Sequence, residues 1–183
     1  MTISIIKYNA GNIQSVLFAL ERLGATATVT DDPVSISAAD KVIFPGVGEA
    51  SSAMAYLRER KLDRLITGLK QPVLGICLGM QLMCRRSSEN ATTCLGIFEE
   101  DVSKFEPADT RLKVPQIGWN NIQALSGPLF NNVEEGAFCY FVHSYYASIG
   151  DHTIATTDYG GLYSASLNRE NFYGVQFHPE KSA

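Results

Sequence analysis

Hydrophobic positions in the first half of this chain come in two kinds of run. Short β-branched stretches at residues 2–8, 27–30, 41–44 and 73–76 have the length and composition of strands. Between them the apolar residues keep helical spacing: Ile13, Val16, Leu17, Leu20 and Leu23 after the first strand, and Met54, Leu57, Leu62, Leu65, Ile66 and Leu69 before the fourth. Asn9-Ala10-Gly11-Asn12 reads as a turn whose last residue caps the first helix through its side-chain oxygen, and Gly24 sits where a helix-ending glycine belongs. Asp31-Asp32-Pro33 reads as a further turn. Strands alternating with helices predict a parallel sheet covered on both faces, with ligands collecting at the carboxyl ends of the strands.

Past Cys84 the pattern changes. Residues 85–93 are polar and predict a loop, after which short strands are expected at 101–105, 114–122, 137–147, 153–157, 163–167 and 172–178. Asn168-Arg169-Glu170-Asn171 makes a hairpin connection between the last two. No repeat, low-complexity tract or linker divides the chain, so residues 1–183 are expected to form a single domain. The predicted fold class is α/β: a mainly parallel sheet with helices on both faces, and an antiparallel β-rich second half.

Composition narrows the function. A hydrophobic content of 45% supports a proper core, and a net charge of −4 with interspersed signs offers no basic stripe for nucleic acid and no polybasic patch for a membrane. The opening residues lack a signal-peptide pattern and no apolar run reaches the ~18 residues of a membrane span, which predicts a cytoplasmic protein acting on small molecules or with another protein. Cys77, Cys84, Cys94 and Cys139 show neither disulfide density nor Cys-x-x-Cys spacing, so reduced thiols are expected.

Cys77 falls where the strand at 73–76 meets the next helix, inside Gly75-Ile76-Cys77-Leu78-Gly79. This is the thiol form of the G-x-S-x-G elbow, in which a strained corner lifts the nucleophile clear and small flanking residues let strand and helix approach. A sulfur at a helix N-terminus lies at the positive end of the helix dipole, a setting that suits a nucleophile. The same residues also read as a core cysteine beside two glycines. Gly174-Val175-Gln176-Phe177-His178-Pro179-Glu180 ends the last predicted strand, and strand alternation lets His178 and Glu180 point the same way, so that the carboxylate orients the imidazole. A surface His and Glu at a strand end is the plainer alternative. In Pro45-Gly46-Val47-Gly48 the backbone N–H groups can join that of Leu78 in an oxyanion hole. As a phosphate cradle this loop lacks the third glycine of a dinucleotide fingerprint and the Gly-Lys-Ser/Thr of a P-loop. Tyr140 to Tyr146 form an aromatic strand in which His143 reads as a satisfied core histidine.

Together these motifs resemble the class I (triad) glutamine amidotransferases. Within that family, Tyr8-Asn9-Ala10-Gly11-Asn12, Gly118-Trp119-Asn120, Phe141-Val142-His143-Ser144-Tyr145 and His178-Pro179-Glu180-Lys181-Ser182 are most similar to glutaminase subunits of imidazole glycerol phosphate synthases, nearly end to end. The resemblance implies a flavodoxin-like sheet and hydrolysis of L-glutamine by a Cys77–His178–Glu180 triad. It implies an oxyanion hole from Gly46, Val47, Gly48 and Leu78, and glutamine held by Gln81, Glu89, Ser144 and Tyr145. It also implies a heterodimer with a (βα)8-barrel cyclase subunit, which uses the ammonia to make imidazole glycerol phosphate and an aminoimidazole carboxamide ribonucleotide in histidine biosynthesis. Asn12, Trp119 and Lys181 fall at the family's interface positions, and no metal or organic cofactor is implied. A stand-alone γ-glutamyl hydrolase or the glutaminase of another amidotransferase are the alternatives on the same fold. Two departures stand out. Gln116-Ile117 replace the family's His-Met, and the chain stops at Lys181-Ser182-Ala183, where the family continues into a C-terminal helix.

Overall fold

A computed structural model describes residues 1–8 and 11–182, so Asn9 and Ala10 of the predicted first turn lie outside the described residues, as does Ala183. Among the described residues, helices and strands follow in this order along the chain: β1 (Ile3–Ile6), α1 (Ile13–Arg22), β2 (Ala27–Thr30), α2 (Pro33–Ala38), β3 (Lys41–Phe44), α3 (Ala50–Glu59), α4 (Leu62–Gly68), β4 (Val73–Ile76), α5 (Leu78–Met83), β5 (Arg86–Ser87), β6 (Thr92–Thr93), β7 (Asp101–Lys104), β8 (Gln116–Asn121), β9 (Phe138–His143), β10 (Tyr145–Ala147), β11 (Thr153–Asp158), β12 (Leu162–Arg169) and β13 (Phe172–Val175). Among the same residues, no helix is long and apolar enough to cross a membrane.

Every strand except β8 and β9 joins one sheet, in the order β2-β1-β3-β4-β13-β12-β10-β7-β5-β6, with β11 added on β12. The first-half strands are mutually parallel, as the alternation predicts, and β13 also runs parallel to β4. From β12 onward the pairings are mostly antiparallel. The pairing of β13 with β4 is the topological step that builds the site. It puts Val175 beside Ile76, so the residues after both strands leave the sheet at the same carboxyl end.

Alternating strand residues feed two cores. Ile6, Phe44 and Val73 pack with Met54, Leu57, Leu62, Ile66, Met80 and Leu82 of α3, α4 and α5. Ile3, Ile5 and Ile43 pack on the other face with Val16 of α1 and with Phe141, Tyr163 and Phe177. The antiparallel ribbon β8-β9 lies on this second side, its inner face contributing Phe141 and Cys139.

Several sequence expectations need correction. Asp31-Asp32-Pro33 opens the short helix α2 instead of a bare turn: Asp32 accepts the Ser35 N–H at 2.8 Å and Pro33 takes the first helical turn. With six residues and only Ile36 buried, α2 leaves no periodic signature. Residues 85–93 are not a plain loop, because β5 and β6 pair across the turn at Glu89–Ala91. Two-residue strands are too short to show alternation. The expected strand at 137–147 divides at Ser144 into β9 and β10, which join different sheets. The last strand ends at Val175, not at His178, and Pro179–Lys181 form a 3₁₀ turn.

Close approach of α5 to the sheet rests on two glycines. A Cβ on Gly79 would lie far inside contact distance of the Phe44 carbonyl oxygen, and one on Gly75 would stand 2.9 Å from the backbone of Gly79 and Met80. Both obstacles are backbone, which cannot step aside as a flexible side chain can. Gly79→Ala is therefore expected to cost at least ~2 kcal/mol in urea denaturation, whereas Gly68→Ala, with open space around its Cβ, should be neutral or stabilising by up to ~1 kcal/mol.

Candidate active site

Cys77 stands at the top of β4 with φ 52° and ψ −110°, a backbone state that costs a non-glycine residue ~1–3 kcal/mol. Its N–H bonds the Val175 carbonyl at 2.8 Å and its carbonyl accepts the Gln81 N–H at 3.2 Å. One peptide thus ends a strand and the next opens a helix, which is the predicted elbow. The sulfur is buried, 3.6 Å from Gln176 Nε2 and 3.9 Å from the Val142 carbonyl.

His178 is delivered from the neighbouring strand. Its N–H bonds the Tyr140 carbonyl at 2.9 Å, and its Nδ1 lies 2.8 Å from Glu180 Oε1. The pairing matches the sequence expectation but not its geometry: the 3₁₀ turn, not strand alternation, folds the carboxylate back onto the ring. Nε2 is buried and makes no hydrogen bond among the described residues. Burial works against the imidazolium, yet the adjacent Cys77 and Glu180 outweigh it and push His178 up to about 9.

Asn12 does not cap α1. It sits in the left-handed region at φ 71° with no side-chain cap, and its Nδ2 instead donates to Glu180 Oε1 at 2.6 Å. Arg22 at the far end of α1 donates to the Glu180 backbone carbonyl at 3.3 Å. Glu180 is therefore held at its carboxylate by Asn12 and at its backbone by Arg22, from the two ends of α1.

The glycine loop departs from the expected donor arrangement. Leu78 N–H bonds the Gly46 carbonyl at 3.2 Å, so the loop presents an acceptor where an oxyanion would need a free donor. Tyr8 anchors the start of this loop through a 2.6 Å hydrogen bond to the Pro45 carbonyl. A Cβ on Gly46 would collide with that phenol.

A cleft of about 230 Å³ opens over Cys77, lined by Val47, Gly48, Leu78, Gln81, Glu89 and Tyr145 among others, with Ser144 on the same wall. All four residues expected to hold glutamine thus face one cavity. Both Gln81 amide protons are committed, to the Tyr145 carbonyl at 2.8 Å and Gln176 Oε1 at 2.9 Å, which leaves its Oε1 for a ligand. Glu89 Oε2 accepts the Ala50 N–H at 2.7 Å, leaving Oε1.

His143 also lines the cleft, but its nitrogens are engaged by the Tyr145 carbonyl at 2.7 Å and the Tyr163 hydroxyl at 3.2 Å. Burial, followed by the charge of His178, drives it down to about 4, so it is neutral. The side-chain amide of Gln116, one of the two departures from the family pattern, lies 2.7 Å from the Tyr163 hydroxyl and completes this buried network. Trp119 lies on the outer face of the ribbon, 53% exposed and edge-on to Tyr140, with the Lys181 ammonium 5.8 Å from the Tyr140 ring.

Gln176 is the site residue that the motif reading passes over. The available signal is a polar residue in an otherwise apolar stretch, Val175-Gln176-Phe177, immediately before His178.

Comparison with known proteins agrees with this geometry. The profile of the family described as "Glutamine amidotransferase class-I" matches residues 5–183. An imidazole glycerol phosphate synthase subunit HisH of Bacteroides fragilis is 56% identical over all of this chain and 93% of its own length. Its counterpart in Vibrio parahaemolyticus is 45% identical over 98% of this chain and 90% of its own. Among solved structures, a glutamine amidotransferase superposes with a TM-score of 0.73 at 16% identity, covering 97% of this chain and 90% of that one. PurLQS from Thermotoga maritima gives 0.70 at 16% identity, covering 98% and 88%. These two likenesses are of fold, whereas the profile match and the sequence identities decide the family. The chain belongs to the class-I glutamine amidotransferases, among the HisH subunits.

Proposed function

We propose that this protein is the glutaminase subunit of an imidazole glycerol phosphate synthase, hydrolysing L-glutamine and delivering ammonia to a (βα)8-barrel cyclase subunit in histidine biosynthesis. The observation that carries the chemistry is the strained Cys77 elbow beside an imidazole raised to about 9 and oriented by Glu180 at 2.8 Å.

In this reading glutamine lies in the cleft with its carboxamide over Cys77 and its amino-acid end among Gln81, Glu89, Ser144 and Tyr145. The free oxygens of Gln81 and Glu89 suit an ammonium group. The Cys77 sulfur attacks the carboxamide carbon, forming an S–C bond. Collapse breaks the C–N bond, and the His178 imidazolium gives its proton to the departing ammonia. Neutral His178 then takes a proton from water as its oxygen attacks the thioester. The S–C bond breaks and glutamate leaves.

The loop geometry supports control by the partner. The Gly46 carbonyl and Val47 N–H belong to one peptide, so the carbonyl that occupies Leu78 N–H turns the Val47 N–H away from it. Rotating that single peptide frees one donor and presents a second. Each oxyanion donor is worth roughly 2.7–4 kcal/mol, or ~10²–10³ in rate. The docking face we assign is the outer side of β8-β9, where Ile117, Trp119 and Phe138 are exposed. It lies close to the chemistry: the Tyr140 carbonyl holds the His178 N–H, and Ser182 Oγ bridges the Tyr140 N–H and the His178 carbonyl. Ammonia released into water at neutral pH protonates and ceases to be a nucleophile, which is the chemical reason for a docked acceptor.

Cys77→Ser should keep the melting temperature within a few degrees and lose ~10³-fold or more of ammonia release from glutamine; wild-type turnover in this variant would overturn the reaction. Adding the cyclase subunit with its nucleotide ligand should raise glutaminase kcat at least ~100-fold, and Trp119→Ala should weaken the complex by ~2 kcal/mol by calorimetry. Equal turnover with and without the cyclase would favour a stand-alone hydrolase. The pH dependence follows from His178, whose native value lies above its ordinary 6.5. A raised value stabilises the fold fully below about 6.5, and that contribution is lost as pH rises toward about 9. Urea midpoints should fall across this window in the wild type and fall less in His178→Asn.

A further inference from the structure

Gln176 is fully buried just beyond β13, with its backbone N–H fixed on the Ala165 carbonyl at 2.9 Å. Its side chain points into the catalytic corner. Nε2 lies 3.6 Å from Cys77 Sγ, and Oε1 accepts the Gln81 amide at 2.9 Å. We propose that Gln176 is a catalytic residue of the glutaminase reaction, donating its side-chain N–H to the Cys77 sulfur, and that Gln81 is the positioning residue that aims it.

The direction of the amide is dictated by a backbone group. The Tyr145 carbonyl can only accept, so the Gln81 end facing it at 2.8 Å must be the NH₂. That NH₂ also faces Gln176, and only an acceptor satisfies it there, so Gln176 turns its Oε1 toward Gln81. The remaining end of Gln176, its NH₂, is left facing sulfur. A backbone carbonyl on the cleft wall thus fixes, through two amides, a donor on the nucleophile. Gln176 is fully enclosed, and Gln81 keeps only 5% exposure, on the side that lines the cleft.

A donor on sulfur acts where sulfur carries charge. Hydrogen bonds to an ion are roughly twice as strong as those between neutral groups. As the electron pair on sulfur forms the S–C bond, its charge and the Gln176 contact both weaken. When the S–C bond breaks in the second step the pair returns to sulfur, and the contact strengthens again. Gln176 therefore favours the charged sulfur before attack and eases its departure from the thioester. His178 handles every proton in both steps, and Gln176 transfers none.

The inference rests on the glutaminase reading for its reaction, but its central contact is testable without glutamine. Purified protein is treated with iodoacetamide at a series of pH values, and Cys77 labelling is followed by mass spectrometry alongside a thermal melt. Gln176→Met keeps the length of the side chain and removes the donor. It should slow Cys77 labelling at pH 7 at least ~ten-fold, as expected for losing a hydrogen bond to a charged atom, and displace the rise of the pH profile upward by about one unit. Gln81→Leu should shift the profile in the same direction by less. Labelling of folded Gln176→Met at the wild-type rate with an unmoved profile overturns the proposal. Should Gln176→Met lose its melting transition, the wild type decides: the Gln176 side-chain amide resonance must follow the same pH profile as Cys77 labelling, and a resonance that does not titrate overturns it. Wild-type protein that labels as expected but releases no ammonia, even with its cyclase, would refute the glutaminase reading while leaving this contact standing.

Discussion

The backbone of Cys77 is held in a state that the residue would not choose, and much of the structure exists to hold it there. The strain of ~1–3 kcal/mol is tolerated because both neighbouring peptides are engaged, one by β13 and the other by the first turn of α5. That turn can begin so abruptly only because Gly79 lies against the Phe44 carbonyl and Gly75 against the backbone of Gly79 and Met80. Three parallel strands, β3, β4 and β13, thus converge on one corner. The same convergence that sets Cys77 at the corner also brings in His178 from β13 and the glycine loop from β3, so fold and candidate site share a single constraint.

Much of this is legible in the sequence. The G-x-C-x-G spacing encodes a steric need, and glycine at 75 and 79 is what that need looks like in one dimension. The β-α alternation of the first half follows from helical and strand periods long enough to register. What cannot be read has physical causes. α2 spans fewer than two helical turns and β5 and β6 a single alternation each, too little for a pattern to repeat. The division of the aromatic strand at Ser144 depends on which sheet each half joins, which is a non-local choice. For His178 and Glu180 the pairing is legible and its geometry is not, since Pro179 suits a stiff strand and the first turn of a 3₁₀ helix alike.

Asn12 shows how a local rule can be displaced by a distant demand. An asparagine before a helix ordinarily accepts a backbone N–H from the first turn. Here the residue takes a left-handed backbone, forgoes the cap, and gives its amide to Glu180, 168 positions further along the chain. A carboxylate buried beside a histidine needs donors more than the helix end does, because an exposed helix end can turn to water and Glu180 cannot. The cap is lost where water can replace it, and the donor joins His178 on a buried carboxylate oxygen.

Two histidines border the same cleft and their surroundings drive them apart. His178 has a carboxylate on one nitrogen and the sulfur beside it, and is raised to about 9. His143 is buried without a carboxylate partner, donates to a backbone carbonyl and meets only the Tyr163 hydroxyl on its other nitrogen, and it falls to about 4. The effect is partly mutual, since the charge of His178 itself discourages a second cation nearby. In the proposed reaction one proton passes first to ammonia and another is then taken back from water, which works best with a single histidine able to carry it. His143, kept neutral chiefly by its burial and held in place by the Tyr145 carbonyl and the Tyr163 hydroxyl, shapes the cleft wall without competing for that proton.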